Sequence, residues 1–148
     1  MMQTMSKRGF SLAAVLLLGC GKELAAIPFS GEGAGDASVT LTSGQTLALW
    51  TKLDASWDGT FTPTYDVELR DSSGKAVGSA TCDPLTPTTK IASMVTNMGS
   101  HHTASYRGKM QCSLTAPSAG TFTVHAKLRY GTKPSSLTVK DISLLIKT

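Results

Sequence analysis

Several sets of side chains in this 148-residue sequence have types and spacings that could support chemistry or binding. His101, His102 and Ser105 combine a candidate base with a hydroxyl nucleophile. No glycine-flanked serine elbow accompanies them, and the sequence indicates no acidic residue that would orient the base. We therefore interpret this segment as a polar loop leading into a strand. We predict that the protein is not an enzyme and assign no catalytic residue.

Four aspartates could supply oxygen ligands for calcium if the fold gathered them at one end of a sheet: Asp54, Asp58, Asp66 and Asp71. Their spacing matches no calcium-loop template. The histidines and cysteines likewise do not fall at the spacings of a zinc finger. We therefore predict neither a metal site nor a cofactor.

Three aromatic residues are the candidate ligand-binding residues: Trp50, Trp57 and Phe61. Trp50 has the parity opposite to Leu49, which points it outward from a regular strand, and the other two lie in a predicted loop over 56–61 nearby. Exposed aromatic rings on a rigid sheet make flat contacts with sugar faces or protein partners. In the alternative interpretation the segment folds over the sheet and Trp50 is buried beneath it.

The first 19 residues have the three parts of an export signal. Lys7 and Arg8 form a basic start, the apolar run 10–18 follows, and Gly19 ends it. A membrane-spanning helix needs about 20 apolar residues, roughly twice the length of this run. The pattern therefore predicts a signal peptide over residues 1–19 and not a transmembrane anchor.

The residues that end this signal, Leu17-Leu18-Gly19-Cys20, resemble the lipobox of bacterial lipoproteins. The resemblance implies cleavage before Cys20, a diacylglyceryl group on its thiol, and acylation, commonly with palmitate, of the new amino terminus. The alternative is a secretory signal that happens to contain a cysteine. Within the family an aspartate after the cysteine signals inner-membrane retention. Gly21 in that position favours an outer-membrane lipoprotein that faces the periplasm or the cell surface.

Lipidation of Cys20 would leave Cys82 and Cys112 as the remaining cysteines, an even number in an oxidising compartment. We predict that they form a disulfide. In the chain-entropy model, a loop of this size stabilises the fold by about 3 to 4 kcal/mol.

The charge balance argues against a nucleic-acid partner. The sequence has 14 basic and 10 acidic side chains, and loss of Lys7 and Arg8 with the signal brings the two numbers close together. No run of consecutive basic residues forms an electrostatic footprint for nucleic acid.

Residues 20–36 are rich in glycine and predict a flexible tether between the lipid and a single domain over 37–148. A short apolar island at 24–29 interrupts this segment. In the alternative interpretation the island packs on the domain as an edge strand.

Period-two alternation dominates the domain, which is typical of antiparallel sheets with one buried face. It is clearest over 65–70, 106–114 and 122–130, with turn residues between such segments. Between Val139 and Ile142 the inward parity slips by one residue, which predicts a bulge. The pattern predicts an all-β antiparallel sandwich, jelly-roll or immunoglobulin-like, of seven to eight strands.

The segment 83–105 departs from this alternation. Ile91, Met94, Val95 and Met98 fall at the spacing of one helix face, which predicts a short helix over 88–98. The surrounding threonine, valine and isoleucine residues are mediocre helix formers and favour an extra strand instead. Both interpretations stay open, and a connection of this length in a small domain is often functional.

Three segments, 39–47, 65–75 and 119–124, resemble bacterial jelly-roll modules of two groups, the pre-peptidase C-terminal domains and the carbohydrate-binding modules. This resemblance implies a sandwich and does not by itself imply a function.

The predicted function is that of a membrane-anchored lipoprotein whose sandwich is a non-catalytic envelope protein-assembly or structural module. The alternative is a carbohydrate-binding module that uses Trp50, Trp57 and Phe61, and a hydrolase ranks third. The expected partners are the membrane, through the lipid, and an envelope protein complex or a glycan.

Overall fold

The structure, a computed structural model, describes residues 22–148 and contains nine strands and no helix within them. The predicted signal peptide 1–19 and the predicted lipid attachment at Cys20 lie outside the described residues. The strands are β1 (Glu23–Phe29), β2 (Gly33–Leu41), β3 (Thr46–Asp58), β4 (Pro63–Arg70), β5 (Ala76–Cys82), β6 (Thr89–Met98), β7 (His101–Thr115), β8 (Gly120–Tyr130) and β9 (Ser136–Lys147).

Two antiparallel sheets form the sandwich, which confirms the predicted fold class. Sheet A has the strand order β1-β9-β3-β7-β6, and sheet B has the order β2-β8-β4-β5. The pair β1 and β2 closes one side, and β5 lies against β7 on the other. Sheet A therefore has one strand more than sheet B, and β6 has no strand opposite it.

Alternating side chains build the core between the sheets. In β4, Tyr65, Val67 and Leu69 point inward, while the residues between them stay partly exposed. Across the sheet, Tyr65 pairs with Leu128 and Leu69 pairs with Val124, so neighbouring strands present their apolar faces to the same side. The burial of these faces is the main favourable contribution to folding.

The apolar island at 24–29 forms β1, so the edge-strand alternative is correct, and the predicted flexible tether is wrong for 23–29 and 33–36, which lie in β1 and β2. Ile27 is buried, and β1 pairs along β9. Gly35 in β2 has no side chain, and a Cβ there would lie 2.6 Å from Ile27 Cγ2. Glycine at this position therefore serves the close approach of two strands, where the sequence pattern indicated flexibility.

The predicted segment 88–98 contains strand β6 from Thr89 to Met98, so the helix alternative is wrong. Ala92 has a φ of 54°, and the register with β7 shifts between Ile91 and Met94. This bulge places Ile91, Met94 and Met98 on one face of the strand and Val95 on the other. Without the bulge, a spacing of three residues would place Ile91 and Met94 on opposite faces, which is why the sequence suggested a helical period.

A second bulge lies in β9, as the sequence predicts between Val139 and Ile142. Asp54 pairs with Asp141 and the next residue, Ala55, pairs with Val139, so Lys140 is the inserted residue.

One buried hydrogen bond joins the two sheets inside the core. The hydroxyl groups of Thr51 in β3 and Tyr65 in β4 lie 3.0 Å apart, and both residues are fully buried. Burial raises the pKa of Tyr65 well above its ordinary value, so this phenol remains neutral. Each hydroxyl therefore provides the hydrogen-bond partner that the other needs in the core.

Tyr65→Phe should lower the free energy of unfolding by about 1 to 3 kcal/mol, because the Thr51 hydroxyl remains buried without its partner. Urea denaturation measures this change. The double variant Thr51→Val with Tyr65→Phe should recover part of the loss, since both polar groups are then absent. Losses that simply add in the double variant would contradict this role of the pair.

Candidate functional site

Trp57 and Phe61 are buried, which corrects the predicted three-residue binding platform. Their exposed fractions are 9% and 4%. The centroids of the two rings lie 5.3 Å apart, Trp57 stacks on His102, and Phe61 contacts Tyr130 edge to face. Strand β3 continues through residue 58, so the parity that buries Leu49 and Leu53 also buries Trp57. That parity was the sequence signal that could have identified Trp57 as a core residue.

Trp50 lies on the outer surface of sheet A, as its parity predicts, and is partly exposed. The ammonium nitrogen of Lys147 lies 4.3 Å from the centroid of the Trp50 ring, and Lys109 is the residue opposite Trp50 on the neighbouring strand β7. A cation at this distance is attracted to the face of the indole. The structure thus separates Trp50 from Trp57 and Phe61 and surrounds it with basic side chains.

The outer face of sheet A carries several cations close together. Lys52 in β3 lies opposite Arg107 in β7, and the ammonium nitrogen of Lys52 lies 3.1 Å from a carboxylate oxygen of Asp141. Within residues 22–148, neither Arg107 nor Lys109 forms an ion pair. An open depression of about 370 Å³ lies between Lys52, Arg107 and the Ala92 bulge. This face therefore presents positive charge beside one partly exposed indole.

The outer face of sheet B differs in that most of its cations are paired. Ion pairs join Arg129 to Asp66 and Arg70 to Glu68, and His125 Nδ1 lies 2.5 Å from a carboxylate oxygen of Asp36. Such exposed pairs contribute little to stability, but they leave little net charge to attract a ligand. Sheet A therefore provides the better candidate surface.

Strand β6 is the second unusual feature of sheet A. All ten of its residues are exposed, including four large hydrophobic residues: Ile91 (51%), Met94 (68%), Val95 (44%) and Met98 (76%). It forms the edge of the sheet and carries no charged residue from Ile91 to Met98. Proteins usually protect such edges with charges, prolines or bulges, and β6 has Lys90 near its start and the bulge at Ala92, with no such device from Ser93 to Met98.

The structure does not assemble His101, His102 and Ser105 into a catalytic group. His101 Nδ1 lies 3.0 Å from an oxygen of Asp58, while His102 points inward against Trp57. Ser105 lies four residues along β7 from His101, about 13 Å away at the usual rise of a strand. The Asp58–His101 contact follows from the register of β3 against β7, which the sequence alone did not reveal.

The four aspartates considered as calcium ligands lie apart from one another. Asp58 contacts His101 and Asp66 pairs with Arg129, while Asp54 borders the depression on the outer face of sheet A. Asp71 accepts hydrogen bonds within its own turn, and the Ser73 hydroxyl is the largest of the contributions that lower its pKa. Among the described residues, no group of three histidine, cysteine or acidic side chains could hold a metal ion.

Comparison with protein-family models and with curated proteins finds no match to this chain. Over the span 22–148, no helix is long and apolar enough to cross a membrane.

The predicted disulfide is present and joins the two sheets beside β6. The sulfur atoms of Cys82 in β5 and Cys112 in β7 lie 2.05 Å apart. The connection from Cys82 to β6 then crosses the end of the core, where Tyr106 donates a hydrogen bond to the carbonyl of Pro84. Burial raises the pKa of Tyr106 to about 12. The disulfide and this connection therefore fix the start of β6, a strand that sheet B does not cover.

Replacing both cysteines, Cys82→Ala with Cys112→Ala, should lower the free energy of unfolding by about 3 to 4 kcal/mol, because a long loop is no longer closed in the unfolded chain. Chemical denaturation of the oxidised wild type and the double variant measures the difference. The wild type in a reducing buffer is the matched control and should unfold with the variant. Equal midpoints for the variant and the oxidised protein would contradict this contribution.

Proposed function

We propose that this chain is a bacterial membrane-anchored lipoprotein whose β-sandwich is a non-catalytic protein-assembly module of the cell envelope. The observation that carries the proposal is the exposed edge strand β6, which is uncharged from Ile91 to Met98. An edge strand offers a row of backbone hydrogen-bonding groups to an extended segment of a partner. In this mode of binding the backbone supplies affinity and the pockets for alternate side chains supply specificity.

Both faces of β6 support docking of a partner strand. On the outer face, Met94 and Met98 would lie beside the side chains of the new strand. On the inner face, beyond the edge of sheet B, a groove of about 260 Å³ lies between Leu85, Val95 and Tyr106. An added strand would therefore bury apolar surface on both sides as well as pair its backbone.

The same geometry weakens the two other functions considered. Glycan binding would depend on Trp50 alone, because Trp57 and Phe61 lie in the core. One face of the Trp50 ring already contacts Lys147. A hydrolase would need a base within hydrogen-bond distance of its nucleophile. Neither His101 nor His102 contacts Ser105, because His101 lies against Asp58 and His102 against Asn97.

The membrane attachment belongs to the proposal through the lipobox at residues 17–20 and the export signal before it. Attachment by two or three acyl chains would hold the protein stably, whereas one chain gives only marginal binding. Gly21 after the cysteine supports the outer membrane as the location.

Cys20→Ser should release the protein from the membrane fraction, because the acylated thiol is lost. Fractionation of the producing cells and the intact mass of the mature chain measure this effect. Cys82→Ala with Cys112→Ala is the control, since it removes both cysteines of the described domain, keeps Cys20 and should leave the protein in the membrane fraction. A Cys20→Ser variant that stays in that fraction as fully as the wild type would argue against the lipid anchor.

A photo-crosslinking residue in place of Met94 should form a heavier adduct in the native envelope, because this side chain lies at the proposed docking edge. The same residue in place of Lys127, on the outer face of sheet B, is the control and should give little adduct. Met94→Lys with Val95→Lys should abolish partner recovery without a large change in melting temperature, since both side chains are exposed in the free protein. Monomer alone from the Met94 position would count against assembly through β6.

A further inference from the structure

The described chain begins at a fixed point of the sandwich. Glu23 pairs with Lys147 at the end of β9, and the backbone N–H of Thr148 donates a hydrogen bond of 3.0 Å to the carbonyl of Lys22. The same end of sheet A contains the start of β3, because Ala48 also pairs with Lys147. We refer to it as the anchored end.

Very little chain separates this end from the proposed lipid. Only Gly21 lies between Cys20 and Lys22, so the two Cα atoms are at most about 7 Å apart even when the chain is fully extended. The headgroup layer of one leaflet is itself about 5 to 8 Å thick. A lipid on Cys20 would therefore hold the anchored end at the headgroups and leave no room for a spacer.

The surface beside the anchored end has the composition of a membrane interface. We define the basic Trp50 patch as Trp50, Arg107, Lys109 and Lys147, which lie on the outer face of sheet A. Tryptophan is enriched at the boundary between lipid and water, and basic side chains near the surface are attracted to anionic lipids. Their long apolar stems also let the charged ends reach the headgroups.

The local charge balance of this patch is positive. Glu23 lies beside Lys147 as its neighbour on β1, and Asp141 pairs with Lys52 at the border of the patch. Arg107 and Lys109 remain without an ion pair within residues 22–148.

We infer that the basic Trp50 patch rests on an anionic lipid headgroup surface when the chain is anchored, with the Trp50 indole at the level of the headgroups. The inference rests on the proposed lipid attachment at Cys20. In this arrangement the domain lies directly against the membrane, and no tether holds it away from the lipid. Two independent features support this inference: the short distance between Cys20 and Lys22, and the positive charge around the partly exposed indole of Trp50.

Fluorescence quenching of the two tryptophans tests this inference. The full-length lipidated protein is reconstituted in vesicles of phosphatidylglycerol and phosphatidylethanolamine whose acyl chains carry bromine near the headgroup. Trp57→Phe leaves Trp50 as the only emitter, and its emission should shift to the blue and be quenched. Trp50→Phe is the matched control, because the remaining Trp57 is buried in the core and should be quenched far less. Should Trp57→Phe not fold, the difference between the wild type and Trp50→Phe gives the same quantity.

The charges are tested in the same vesicles. Arg107→Glu with Lys109→Glu should reduce the quenching of Trp50, whereas Lys127→Glu on the outer face of sheet B should not. Trp50 emission that stays unquenched in protein that floats with the vesicles overturns the inference. Protein that neither carries the acyl mass nor floats with the vesicles shows that the proposed lipid anchor has failed, and the inference fails with it.

Discussion

The sandwich is held together by the mutual burial of its two inner sheet faces, and this burial ends before β6. Within residues 22–148, sheet A has five strands and sheet B has four, so the last strand of sheet A has neither a second sheet over its inner face nor a neighbour along its outer edge. The disulfide between Cys82 and Cys112 lies where this imbalance begins. It ties the edge of the smaller sheet to β7, and β6 depends on β7 for its pairing.

The parts of the fold that the sequence predicts are those where one face of a strand is buried and the other is wet. Alternation in 65–70 and 122–130 is strict because a slip of one residue in the register would move the apolar side chains out of the core. The same rule places Trp50 outward and Trp57 inward. Treating 56–61 as a loop, where β3 in fact continues to residue 58, led to the wrong prediction for Trp57 and Phe61.

The sequence was less informative where a local feature had two physical causes. Glycines at 33 and 35 predict a flexible segment, but Gly35 gives space for the contact between β2 and Ile27. Apolar residues at helical spacing in 88–98 arose from a bulge at Ala92, which changes the parity of the strand. The candidate surface on sheet A was not predicted as a unit either, because its cations come from β3, β7 and β9. Only the pairing of those strands brings them together.

The direction of β6 relative to the anchored end restricts how a partner can bind. Met98 pairs with His101, which lies with Asp58 at the end of sheet A opposite to Lys147, so β6 runs away from the anchored end. Two copies that join their β6 strands in antiparallel fashion are related by a two-fold axis perpendicular to the sheet, and their anchored ends then point in opposite directions. Two lipid anchors in one leaflet permit this arrangement only when the axis runs along the membrane normal, because the outer faces of both copies of sheet A then rest on the same leaflet. If Cys20 carries the lipid, the pairing of two β6 strands is therefore compatible with the basic Trp50 patch lying on the headgroups, whereas a sheet that stands upright on the membrane restricts an antiparallel partner of β6 to a different protein.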